Sequence, residues 1–337
     1  MRSNMLYSIE IKFLTKSFGD VTAVNNISLS VKNGEIFGFL GPNGAGKSTT
    51  IMILTTLLKP TSGQALISGF DVATNAKQVR QNIGYVQQET TVDEYLTGRE
   101  NLLLQAKLNH IPKNEIDKRI DEILTLIELT DKQDKTVVTY SGGMRKRLDI
   151  AGGLLHRPKV LFLDEPTVGL DIQTRRKIWQ YIKKIHDEFK MTIFLTTHYM
   201  EEADQLCDRI GIIDDGKIQV IDSPENLKKA MGNEVISIIF EEGENRDSFL
   251  SELEKIEFVN KINKDGSKLT LFASNGTEVI PKIFYISSKL NIKITSISLT
   301  QPTLDDVFIS YTGHEIRDGD SKFNQKREHA KMKRLRA

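Results

Sequence analysis

Hydrophobic and polar positions alternate through the first stretch of the chain. Ile9, Ile11 and Phe13, then Val24, Ile27, Leu29 and Val31, are spaced like the inward faces of half-buried strands, and Asn33-Gly34 marks a turn after them. A different pattern begins at residues 36–40, Ile-Phe-Gly-Phe-Leu, a nearly continuous apolar run that recurs at 160–163, 193–195 and 210–213. Strands apolar on both faces suit a parallel sheet covered by helices. Ile178, Ile182, Ile185 and Phe189 fall four, three and four residues apart, on one face of a helix. From about residue 96 to 155 the strand signal disappears. There Ile116, Ile120, Ile123 and Ile127 form a helical stripe, with 101–109 helical before it, which predicts a helical subdomain inserted into the sheet domain.

After about residue 232 the pattern resets. Strands are predicted near 235–240, 258–262, 268–272 and 292–299, with helices near 247–253 and 278–290. That βαββαβ order fits a ferredoxin-like unit. Thr303-Leu304-Asp305-Asp306 reads as a capping box opening a last helix with Leu304, Val307, Phe308 and Tyr311 on one face. From Ser321 onward seven Lys/Arg residues face one acid, Glu328, the composition of a solvated, unstructured tail.

Composition narrows the class. The 337 residues suffice for one large domain or two ordinary ones, and 39% hydrophobic with 27% charged residues is the range of a soluble globular protein. A net charge of +1 gives no global field for nucleic acid or a membrane surface. The single cysteine, Cys207, can form no internal disulfide and is expected as a small buried hydrophobe in a reducing compartment. No apolar run approaches the roughly 18–20 residues that span a bilayer. Residues 1–10 lack the basic start and apolar core of a signal peptide, so the expectation is a chain neither secreted nor membrane-spanning.

The apolar run 36–40 leads directly into Gly41-Pro42-Asn43-Gly44-Ala45-Gly46-Lys47-Ser48-Thr49, which matches the phosphate-binding pattern G-x-x-x-x-G-K-[ST]. Glycines let successive N–H groups face inward as an anion nest, and the helix that follows adds unpaired donors and its positive dipole end. Lys47 is expected at the β- and γ-phosphates of ATP, and Ser48 at Mg²⁺. The run 160–163 ends in Asp164-Glu165. That places one carboxylate at the sheet's carboxyl edge to hold Mg²⁺ and a second one residue on to activate water as general base.

Tyr140-Ser141-Gly142-Gly143-Met144, lying between these two motifs, resembles the signature of ABC-transporter ATP-binding subunits, and the resemblance runs from residue 9 to about 224 with every motif in order. Gln88 resembles the Q-loop glutamine, Gly169-Leu170-Asp171 the D-loop and His198 the switch histidine, and Phe18 stands where the family stacks an aromatic ring on adenine. The resemblance implies catalytic roles for Glu165, His198 and Gln88. It implies metal contacts from Ser48, Gln88 and Asp164, and nucleotide contacts from Phe18, Gly41, Asn43, Gly44, Ala45, Gly46, Lys47, Ser48, Thr49, Ser141, Gly142, Gly143 and Asp171. In the family the signature engages the γ-phosphate held by the opposite subunit, so a second copy of the chain completes each site. Two positions depart from the family: Tyr140 replaces the usual Leu and Met144 the usual Gln, while the Ser-Gly-Gly core stands. Arg145-Lys146-Arg147 is expected as an exposed face of the signature helix.

Gln301-Pro302-Thr303-Leu304-Asp305-Asp306-Val307-Phe308, with the earlier Leu96-Thr97-Gly98-Arg99-Glu100-Asn101-Leu102, resembles the daunorubicin-resistance type of these subunits, while Tyr311-Thr312-Gly313 varies that type's usual ending. The implied architecture is α/β: a P-loop NTPase of the ABC type over residues 1–231, with a parallel-rich core sheet, an antiparallel β subdomain and a helical subdomain at about 96–155. A small C-terminal α+β domain follows at 232–316, and a basic tail at 317–337. The implied function is ATP hydrolysis powering export of drugs or other amphipathic compounds through a separate ABC-2-type permease, at the cytoplasmic side of the cell membrane. The permease would dock against residues 88–96. The rival from another class is a soluble ABC ATPase acting on nucleic acid or ribosomes. It is disfavoured by one copy of each motif and by the absence of sustained heptads, and no nucleic-acid partner is expected.

Overall fold

A computed structural model describes residues 6–241, 246–266 and 268–313, and these fall into two compact units that meet in sequence between Ile221 and Asp222. The tail expected at 317–337 lies outside the described residues.

The first unit holds β1 (Tyr7–Phe18), β2 (Val21–Lys32), β3 (Ile36–Leu40), α1 (Lys47–Leu54), β4 (Ser62–Ile67), β5 (Phe70–Asp71), α2 (Ala76–Asn82), β6 (Ile83–Val86), α3 (Gly98–Leu108), α4 (Lys113–Leu126), α5 (Gly142–Leu154), β7 (Val160–Asp164), α6 (Ile172–Phe189), β8 (Thr192–Thr197), α7 (Met200–Leu206), β9 (Arg209–Asp214) and β10 (Lys217–Asp222). One sheet has the order β2-β1-β4-β5 and pairs antiparallel. The other has the order β10-β9-β3-β8-β7-β6, with β9, β3, β8, β7 and β6 parallel. Every residue of β3, β7 and β8 is buried, as their unbroken apolar runs demand of strands covered on both faces. Phe194 sits at the centre, its ring 5.6 Å from each of Phe37, Phe39 and Phe162. Such pairs contribute about 0.5–1.5 kcal/mol each beyond their burial. Cys207 is buried as expected, and a Cβ at Gly38 would meet its Sγ at 2.6 Å, so the glycine makes room for the thiol.

The parallel register decides where chemistry can gather. Leu40 pairs with Thr197, and Asp164 with Thr196, so β3, β7 and β8 end level with one another. The loops that follow all open on the sheet's carboxyl edge, where open α/β sheets bind ligands. The helical segment is built from α3, α4 and α5. The stripe Ile116, Ile120, Ile123 and Ile127 is buried, and Thr97 and Glu100 close a reciprocal capping box at the start of α3.

Some expectations fail for local reasons. Phe13 leaves the inward face because a register shift between Ile11 and Leu14 gives it a φ of 52°; its side chain is 68% exposed and Leu14 fills the core instead. Phe189 and Tyr311, at the last turns of their helices, are exposed as well.

The second unit holds α8 (Pro224–Met231), β11 (Glu234–Phe240), α9 (Arg246–Leu253), β12 (Val259–Asp265), β13 (Lys268–Ala273), α10 (Gly276–Lys289), β14 (Ile294–Thr300) and α11 (Leu304–Thr312). Its sheet runs β12-β13-β11-β14 with every neighbour antiparallel, the split βαβ arrangement of a ferredoxin-like unit. The division falls at 221/222 rather than 231/232. The reason is α8: capped by Ser223, it buries Leu227 and Met231 and packs against α11, so it belongs with the second unit.

Candidate active site

The phosphate loop joins β3 to α1. Gly46, the residue before the helix, has φ 106°, and a Cβ there would stand 2.4 Å from the carbonyl oxygen of Ala23, so only glycine fits. No side chain caps α1 and no acid sits in its first turn, which leaves its leading N–H groups and dipole for an anion. Asn43 and Gly44 are exposed at the tip, while Ala45, Gly46, Lys47 and Thr49 are buried.

Lys47 Nζ donates to the carbonyls of Gly41 at 2.7 Å and Pro42 at 3.1 Å, and lies 3.1 Å from Glu165 Oε1. Burial pulls its ammonium below the ordinary lysine range, against the opposing pull of Glu165. Asp164, the last residue of β7, accepts from Thr196 Oγ1 at 2.5 Å and from Ser48 Oγ at 3.4 Å. Burial raises its carboxyl, with the Thr196 bond working the other way.

Glu165 turns sharply out of the strand with φ 46°, and its N–H donates to the Thr196 carbonyl at 3.1 Å. Its Oε2 lies 3.2 Å from His198 Nδ1. Burial would raise this carboxyl, but the hydrogen bond from His198 and the Lys47 ammonium outweigh it and hold Glu165 below its usual value. A base that is ionised, buried and fixed at both oxygens is suited to accept a proton from a positioned water. Hydroxyl and carboxylate oxygens of Ser48 and Asp164 suit a hard cation such as Mg²⁺. Among the described residues no cluster of three or more His, Cys, Asp or Glu side chains forms a protein metal cage.

The structure thus brings Lys47, Ser48, Asp164, Glu165 and His198 together. Ser141 and Asp171 cap the starts of α5 and α6. Ser141 accepts from Met144 N at 3.3 Å, Asp171 accepts from Thr174 N at 3.0 Å, and Gly143 packs on Thr174. Ser141 and Gly142 are exposed. Gln88 is exposed in the segment after β6, and Phe18 ends β1 on the antiparallel sheet with Lys16 Nζ 5.0 Å from its ring centre.

Three contributors escaped the sequence reading. Thr196 binds both Asp164 and the Glu165 backbone; it could have been found by aligning the ends of the two apolar strands. Glu202, wholly buried on α7, accepts from Thr167 Oγ1 at 2.8 Å and Trp179 Nε1 at 2.9 Å; as the second of two adjacent glutamates it carries no one-dimensional signal. The third is Lys146. The basic run is not an exposed face: Lys146 is 4% exposed, Arg145 binds Glu94 and the Tyr140 carbonyl, and Arg147 binds the Ile127 carbonyl and Tyr181.

The chain is similar to known proteins over most of its length. The family described as "ABC transporter" matches residues 24–168, and "ATP-binding protein DrrA1-3-like, C-terminal domain" matches 223–312. The linearmycin resistance ATP-binding protein LnrL of Bacillus subtilis is 35% identical over 312 residues, covering 92% of this chain and all of the relative. The daunorubicin/doxorubicin resistance ATP-binding protein DrrA of Streptomyces peucetius is 37% identical over 326 residues, covering 94% of this chain and 96% of the relative. Among solved structures, cbiO1 from Clostridium perfringens, part of the ABC transporter complex cbiONQ, superposes with a TM-score of 0.62 at 29% identity, over 67% of this chain and 93% of its own. The dimeric ATP-binding cassette MJ0796 bound to ADP and Pi superposes with a TM-score of 0.57 at 30% identity, over 64% of this chain and 98% of its own.

Proposed function

This chain belongs to the ABC-transporter ATP-binding family, and on that premise we propose that two copies of it close around two ATP-Mg²⁺ to power an ABC-2-type permease exporting drugs or other amphipathic compounds. It is an ATPase of the ATP-binding-cassette type. The observation that carries the mechanism is the convergence of Lys47, Asp164, Glu165 and His198 at the level ends of three neighbouring parallel strands.

Lys47 and the N–H groups of α1 bind the β- and γ-phosphates. Ser48 and Asp164, with Gln88, would hold the Mg²⁺, which would supply charge neutralisation when bound. Glu165 orients a water in line with the γ-phosphate and takes its proton, and His198 keeps that carboxylate ionised and aimed. Phosphoryl transfer needs little covalent help, so positioning and charge supply the catalysis. The exposed Ser141 and Gly142, with Gly143, face the γ-phosphate held by the other copy, where Asp171 also contributes. Phe18 stacks on the base.

Among the described residues no helix is long and apolar enough to cross a membrane. The resistance functions named for LnrL and DrrA support export over a soluble ATPase acting on nucleic acid or ribosomes. The setting is then peripheral, at the cytoplasmic side of the membrane. The test is co-expression with a neighbouring membrane protein of about six spans. Co-purification and ATPase activity stimulated by that protein in lipid are expected; turnover indifferent to it would overturn the transport reading.

A further inference from the structure

Lys146 is a buried lysine, 4% exposed, on a helix otherwise packed largely through apolar residues. It stands on α5, the helix that begins at the Ser141 cap, and its ammonium donates to the carbonyls of Gln87 at 2.8 Å and Gln88 at 3.3 Å. One turn along the same helix Asp149, 6% exposed, lies 3.7 Å from Lys146 Nζ and accepts from Thr91 N at 3.3 Å and Thr91 Oγ1 at 2.7 Å. Gln87 and Gln88 are themselves exposed, so α5 grips this segment from beneath at both ends.

The segment's near end is fixed elsewhere. It leaves β6, whose last residue, Val86, pairs with Leu163 beside Asp164. The backbone around Gln88 is therefore strung between the strand carrying the acidic pair and the helix carrying Ser141 to Gly143. Burying two charges at this distance costs desolvation that an apolar pair of the same volume would avoid. Stability alone does not account for them.

We propose that Lys146 and Asp149 form a latch that positions Gln88, so that the placement of Gln88 at the nucleotide follows the placement of the signature helix. Lys146 is a positioning residue: it acts on the Gln88 backbone and touches no reacting atom. The inference rests on the metal-contact role proposed for Gln88. It gives the basic run after the signature a task within the hydrolytic cycle instead of at the surface.

The test measures ATP turnover over an ATP-Mg²⁺ titration for the full chain, Lys146→Met, Gln88→Ala and the double variant, with thermal melting as the check on folding. Lys146→Met is expected to lower kcat about tenfold with KM within about twofold, the signature of lost positioning rather than lost binding. The double variant is expected to be no slower than Gln88→Ala, because one route is cut twice. Lys146→Arg, which keeps the donors, is expected to recover most of the rate. Hydrogen exchange at residues 87–91 is expected to quicken in Lys146→Met while residues 41–49 keep their protection. If Lys146→Met does not fold, Asp149→Leu, which removes the acceptor of Thr91, replaces it, with faster exchange at Thr91 and a smaller loss of kcat expected. Losses that multiply in the double variant, alongside a slow Gln88→Ala, or unchanged exchange at 87–91, overturn the latch. Wild-type turnover in Gln88→Ala would instead remove the role of Gln88 and leave the latch without a target.

Discussion

Lys47 Nζ stands 3.1 Å from Glu165 Oε1, with the two side chains 4% and 6% exposed. The ammonium that should meet phosphate is thus held by the carboxylate that should activate water. Each opposes the burial that disfavours the other's charged form. His198 lies against the other carboxylate oxygen, so Glu165 has a second partner besides Lys47.

Glu165→Gln retains shape and the capacity to meet Lys47, yet it cannot take a proton. Turnover is expected to fall at least about 100-fold, the lower range for loss of a general base. ATP-Mg²⁺ binding is expected to persist, with an ATP-dependent dimer accumulating. Phosphate release and size-exclusion chromatography in ATP read the two effects. Normal turnover with no such dimer would take Glu165 out of the chemistry.

His198→Ala removes one of the two groups that hold Glu165 below its ordinary pKa and leaves Lys47 in place. Hydrolysis is expected to slow by about tenfold or more while nucleotide affinity stays close to wild type, because the phosphate contacts survive. Nucleotide titration separates the two quantities. Equal losses in binding and turnover would mean that His198 supports the phosphate loop and not the base.

The parts legible in sequence were those whose meaning is local. Residues 36–49 read as strand, loop and helix because each step is decided by its near neighbours, and the run ending in Asp164-Glu165 is legible for the same reason. Phe13 was misread because the bulge that turns it outward arises from pairing with β2, which spacing along one strand does not encode. Lys146 was misread because three consecutive basic residues look alike along the chain, and only the packing of α5 against the segment after β6 selects one to point inward. Glu202 gives no signal at all, since its partners Thr167 and Trp179 come from a different loop and helix. The end of the first unit was placed too late because the helical pattern of 224–231 says nothing about which neighbour buries it.

Glu202 makes a prediction about pH. Burial raises its carboxyl pKa, with hydrogen bonds from Thr197, Thr167 and Trp179 only partly opposing. The folded state therefore keeps its proton to higher pH than the unfolded chain, where a glutamate titrates near pKa ~4.3. The associated stability is present in full below that unfolded value and is lost as pH rises towards the folded one. Glu202→Gln, neutral at every pH, should show no such loss. Denaturant unfolding of both proteins from pH 5 to 8 is expected to show the wild type losing stability relative to the variant as pH increases. A difference that stays flat across that range would place Glu202 in the folded protein as an ordinary carboxylate.

Two glycines near the nucleotide motifs separate geometry from chemistry. At Gly46 the obstacle is backbone: a Cβ would meet the Ala23 carbonyl at 2.4 Å, and φ is already 106°. Gly46→Ala is expected to cost about 2–4 kcal/mol, combining left-handed strain with a clash that only a shift of β2 could relieve. At Gly143 the obstacle is the Thr174 Cγ2 methyl at 2.6 Å, on a side chain whose hydroxyl donates to Asp171 Oδ2 at 2.6 Å. Turning that side chain away loses the bond, so Gly143→Ala is expected to cost about 1 kcal/mol. Thr174→Ser removes the methyl and keeps the hydroxyl. The pair Gly143→Ala with Thr174→Ser is therefore expected to regain wild-type stability in denaturant titrations. If its ATP turnover remains low once stability is restored, Gly143 serves the γ-phosphate across the dimer as well as the packing of α5. Restored turnover would confine Gly143 to packing.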